Sequence, residues 1–103
     1  MNALQQALEN LRAHRQRLEA SGPIAPLSVW IEVYCPGGRD VYYARLKAEK
    51  AIWGKAHSRG LKRAGSADHR DWHNRIQRRD ALLEIERRSQ AIQAMLDVPI
   101  WEP

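Results

Sequence analysis

The chain has 103 residues, 44% of them hydrophobic and 28% charged, which suits one small domain with a modest core and argues against wholesale disorder. No apolar run reaches the roughly 18 residues that cross a bilayer, the N-terminus lacks the basic-then-apolar order of a secretory signal, and the single cysteine, Cys35, excludes an intrachain disulfide or a cysteine-rich zinc site. A cytoplasmic location without membrane attachment is the expectation, and the net charge of +5 is regional: residues 39–79 hold 12 Lys and Arg against 4 Asp and Glu, whereas residues 1–38 sum to zero and 80–103 to −3.

Residues 2–20 contain no Gly or Pro, and Leu4, Leu11 and Leu18 recur every seven residues with Ala7 and Leu8 between them. That spacing predicts a helix over 2–21 with one apolar seam. Ser21-Gly22-Pro23 ends it, because glycine tolerates the conformation that closes a helix and proline cannot extend the hydrogen-bond ladder.

From Ser28 the period changes to two. Val29, Ile31, Val33 and Cys35 alternate with Trp30, Glu32 and Tyr34, which predicts a strand with two unlike faces. Pro36-Gly37-Gly38-Arg39-Asp40 is turn chemistry, and residues 41–46 return to β-prone types, so the stretch reads as an antiparallel hairpin. Lys47-Ala48-Glu49-Lys50 fits helix or strand. Ala51-Ile52-Trp53 starts a third strand or tucks Trp53 under the sheet, giving a hairpin or three-stranded sheet over 28–53. Residues 54–66, with three glycines and four basic residues, read as a basic loop or a short strand pair.

Ser66 and Asp68 are candidate caps for a helix over 67–97, stopped by Pro99. Its apolar residues lie on two faces. Trp72, Ile76 and Leu83 are assigned to the sheet, while Leu82, Ile85, Ser89, Ile92 and Leu96 form a later seam. The seam is expected to pair with the Leu4, Leu11, Leu18 helix, from the same chain or from a second copy in a homodimer. Residues 98–103 form a tail. The expected architecture is α+β in one domain: an N-terminal helix, a small antiparallel sheet, a basic loop and a long C-terminal helix.

A concentrated positive block draws polyanions, and arginine adds a bidentate fork suited to phosphate. Arg39, Arg45, Lys47 and Lys50 come from the turn and second strand, Lys55, Arg59, Lys62 and Arg63 from the loop, and Arg75, Arg78 and Arg79 from the early helix. Together they are the candidate nucleic-acid contacts, unless they merely solvate the surface. Tyr34, Tyr42 and Tyr43 are candidates for base stacking. Trp30, Trp53 and Trp72 are expected in the core, which has no Phe to build from.

His69 and His73 have the i, i+4 spacing of two-histidine metal sites, but the intervening residues lack the metalloprotease glutamate and no third ligand follows. No metal, cofactor or catalytic set is expected, and Cys35 reads as an ordinary thiol. These features predict a small nucleic-acid-binding protein, DNA ahead of RNA, that dimerises through its helices. The competing expectation is a protein–protein adaptor working through helix pairing and the tail residues Ile100 and Trp101.

Overall fold

Every element begins and ends where the sequence supplies a cap, a turn or a breaker. In the computed structural model, which describes residues 2–103, the order is α1 (Ala3–Ser21), β1 (Val29–Tyr34), β2 (Tyr43–Ala48), β3 (Ser58–Arg63) and α2 (Ala67–Asp97). This is the α+β arrangement expected. Asn2 is the N-cap of α1: its side chain accepts the Gln5 N–H at 2.8 Å, and the Gln5 side chain accepts the Asn2 N–H at 3.0 Å. Gly22, at φ 153°, closes the helix in a region open mainly to glycine. For α2 the cap is Ser66, whose Oγ accepts the His69 N–H at 3.2 Å and donates to the Leu61 carbonyl at 2.8 Å.

The sheet is antiparallel throughout, in the order β1-β2-β3. Lys47 and Ala48 continue β2, so the ambiguous 47–50 stretch begins as strand. Residues 54–66 are not mainly loop. Trp53 and Ala56 bridge each other around Gly54-Lys55, with Gly54 at φ 64°, and the chain returns as β3. The third strand therefore lies at 58–63 and not at 51–53. As an edge strand it needs one inward anchor, Leu61, and its remaining residues are polar or glycine, a composition that suits a protected edge.

The chain divides into two compact units, one built from the residues up to Pro23 together with Asp80–Pro103, the other from Ile24–Arg79. In the sheet unit, Val29, Ala44, Leu46, Ala48 and Leu61 form the buried core, and Ile31, Trp53, Trp72 and Ile76 pack against it. Cross-strand pairing explains the set: Val29 opposes Ala48, Ile31 opposes Leu46 and Val33 opposes Ala44, so these side chains share the face that meets the start of α2. Arg79 fastens the helix to the start of β1 by donating Nη1–H groups to the carbonyls of Pro26 and Val29, at 2.6 Å each. Leu83, assigned to the sheet from its sequence position, belongs to the other unit and is 51% exposed.

In the helical unit α1 runs antiparallel to the second part of α2, with Arg15 paired to Glu86. The helix pairing is thus made within one chain. Ile85 is the one buried side chain of this unit among the described residues, while Leu4, Leu11, Leu18, Leu82, Ile92 and Leu96 are half-buried.

Candidate nucleic-acid interface

The second face of the sheet carries no covering element within its own unit. The same pairing that sends Leu46 inward sends its neighbours outward, in three rows across the strands. One row is Trp30, Lys47 and Ser58; the middle row is Glu32, Arg45 and Gly60; the last is Tyr34, Tyr43 and Arg63. A bulge makes the third row possible. Gly60 and Arg63 are three residues apart, an odd spacing that would put them on opposite faces of a regular strand. The register shift between Tyr43 and Arg45, with Lys62 at φ 64°, absorbs one residue and returns Arg63 to the face of Gly60.

The centre of this face is tightly organised. Arg45 donates an Nη2–H to Glu32 Oε1 at 2.6 Å, and its guanidinium carbon lies 4.4 Å from the centroid of the Tyr34 ring. Tyr34 and Tyr43 stand with ring centroids 6.2 Å apart, and Arg39 reaches the Tyr43 hydroxyl at 3.5 Å. The Arg45 Nε–H is buried without an acceptor from the chain. Lys47 and Arg63 make no ion pair among the described residues.

The structure sorts the basic residues into three groups. Arg45, Lys47 and Arg63 share the open face, with Arg39 in the loop at its end. Arg75, Arg79 and Lys62 are engaged inside the chain: Arg75 pairs with Asp71 at 3.0 Å and lies over the Trp72 ring, Arg79 holds the two carbonyls, and exposed Lys62 sits 3.2 Å from Asp68. Lys50 and Lys55 lie in the loop between β2 and β3, Arg59 pairs opposite Leu46 and so leaves its strand on the helix side, and Arg78 is half-buried on α2. Tyr42 precedes β2 and is exposed, apart from the Tyr34–Tyr43 pair.

Two members of the open face, Trp30 and Gly60, were not expected there. Trp30 is 44% exposed on the row of Lys47, not in the core, because its position in the alternation is opposite to Val29 and Ile31. Strand parity carries that signal whatever the bulk of the side chain. Glu32 shares the same parity. Gly60 had no signal, since residues 54–66 read equally as a basic loop or a short strand pair. Trp53 and Trp72 do pack against the core.

The other candidates have local roles. His69 Nδ1 accepts the Gly65 N–H at 2.8 Å, and no group of three His, Cys, Asp or Glu among the described residues is placed to hold a metal ion. Cys35 is exposed, with its thiol donating to the Arg39 carbonyl at 2.9 Å. No helix among the described residues is long and apolar enough to cross a membrane.

Charge follows the units. Ile24–Arg79 holds 12 Lys and Arg against 5 Asp and Glu, a balance of +7, and the remainder holds 5 against 7, a balance of −2. The whole positive surplus belongs to the unit that carries the open sheet face. Comparison with protein-family models, curated proteins and solved structures finds no match to this chain.

Proposed function

We propose that the protein binds duplex DNA through the open face of its three-stranded sheet. The observation that carries this reading is the central grid of Arg45, Lys47 and Arg63 with Trp30, Tyr34 and Tyr43, interrupted by one acid, Glu32, in a unit of charge +7. Adjacent strands lie about 4.8 Å apart, so a pair of them, such as β1 and β2, spans roughly 10 Å and fits the DNA major groove, which is about 12 Å wide and admits a two-stranded ribbon. Proteins that read DNA with β-strands use this fit, and α2 on the opposite face leaves it unobstructed within the unit. The A-form RNA major groove is too narrow for such a sheet, and Tyr34 is occupied beneath Arg45, not free to stack a base.

Anisotropy titrations of the full chain against duplex DNA, single-stranded DNA and duplex RNA, across a salt series, test this. Duplex DNA is expected to bind best, with log affinity falling linearly in log salt at a slope of about −3 to −5, each phosphate contributing about 0.9. Replacing Lys47 and Arg63 together by Ala reduces the slope by about 2. Absence of binding to every nucleic acid at low salt overturns the proposal, and a preference for RNA reassigns its ligand.

Dimerisation belongs to the same reading. The half-buried seam of Leu4, Leu11, Leu18, Leu82, Ile92 and Leu96 offers a second copy an apolar surface, and a two-fold dimer matches two half-sites. Light scattering decides it. An adaptor role is the second reading, favoured by Ile100 and Trp101, which are 90% and 81% exposed. Truncation after Asp97 that abolishes capture of a protein partner, with folding intact, supports the adaptor.

A further inference from the structure

We infer that Arg45 is the base-reading residue of the sheet face, that it selects guanine, and that Glu32 and Tyr34 are its positioning residues; this deepens the DNA-binding proposal and rests on it. Guanine presents two acceptors, O6 and N7, in the major groove, and the guanidinium fork matches them with two parallel hydrogen bonds. A fork reads a base only when it is aimed. Most surface arginines are not, because their long side chains sample many rotamers.

Arg45 is aimed from three directions. Glu32 Oε1 takes one Nη2–H at 2.6 Å, the guanidinium carbon sits over the Tyr34 ring at 4.4 Å from its centroid, and the Nε–H is buried without an acceptor from the chain. Of the five N–H groups of arginine, both on Nη1 and one on Nη2 remain for a ligand. The residue sits in the middle row of the middle strand, where an inserted sheet reaches deepest into a groove.

Gly60 is an independent observation at the same place. It pairs directly opposite Arg45 on β3, so a side chain there would stand beside the guanidinium. Its backbone does not require glycine: its φ is not in the left-handed region, and a Cβ added to it would meet nothing within 4 Å. Glycine inside a strand weakens it, and it marks a bulge or a place where a ligand approaches closely; the bulge here falls at Leu61 and Lys62, and it is Lys62, not Gly60, that takes the left-handed backbone. The open space beside an aimed fork is the space a base edge needs. An ordinary cross-strand ion pair explains the Glu32–Arg45 contact, but it does not explain the missing side chain next to it.

The test starts from selection of duplexes out of a random DNA library by the full chain. The enriched site is then made with 7-deazaguanine, which lacks the N7 acceptor, at each guanine in turn. One replacement is expected to weaken binding about tenfold, within the discrimination a bidentate pair supplies. That penalty disappears in Arg45→Ala and shrinks in Glu32→Gln. Gly60→Leu, which leaves the fold intact by circular dichroism, weakens the selected site about tenfold or more. If Arg45→Ala does not fold, the 7-deazaguanine scan on the natural chain and the Gly60→Leu variant still decide. Tight DNA binding with no enriched guanine, or with a 7-deazaguanine penalty unaltered in Arg45→Ala, overturns the role of Arg45 and leaves the DNA-binding proposal standing. Failure to bind any duplex at low salt overturns both.

Discussion

Leu46 is fully buried at the centre of β2, against Val29, Ala44, Ala48 and Leu61. Leu46→Ala removes its transfer energy and leaves a cavity in a core with few large side chains, so we expect a loss of about 3 kcal/mol in denaturant unfolding. Lys62 is the second sensitive position, for a backbone reason. At φ 64° it is the one described residue other than glycine in the left-handed region. A β-branched side chain is least tolerant there, so Lys62→Val is expected to cost about 1–2 kcal/mol by the same measurement, far more than its exposed ion pair with Asp68 supplies. At this scale the sequence is legible wherever parity decides. Val29, Ile31 and Leu46 face inward as alternation requires, and Trp30, expected in the core for its bulk, follows parity outward.

The elements were legible in proportion to their length and periodicity. Both helices stand within a residue of their expected limits, because Asn2, Gly22, Ser66 and Pro99 mark them chemically. β3 was not separable from a loop, since an edge strand with one inward residue lacks the alternation that identifies strands. In α2, hydrogen bonds from Arg87 and Arg88 hold the Glu84 carboxyl at about 2, below an ordinary 4.5, and Arg15 with Gln90 lowers Glu86 in the same direction. A carboxyl depressed in the folded chain stabilises it fully above the unfolded value and loses that contribution as pH falls through the folded one. Thermal stability followed by circular dichroism is therefore expected to decline as pH falls from about 4.5 towards 2, and the decline should be shallower in Glu84→Gln. An equally steep decline in that variant would assign the acid sensitivity elsewhere.

At the scale of the molecule, the sequence located the positive charge but not its geometry. The count of basic residues in 39–79 came from composition alone; that Arg45, Lys47 and Arg63 share a face while Arg75 and Arg79 serve the fold depends on register, a bulge and helix docking, which composition does not encode. We propose that DNA binds the sheet face opposite α2. Titrating a short duplex into the isotope-labelled full chain, with amide resonances followed by NMR, tests it most directly. Binding at that face is expected to shift most the amides of Trp30, Glu32, Tyr34, Tyr43, Arg45, Lys47, Gly60 and Arg63. Shifts confined to α1 and to residues 80–97, with the strand amides unmoved, would contradict it.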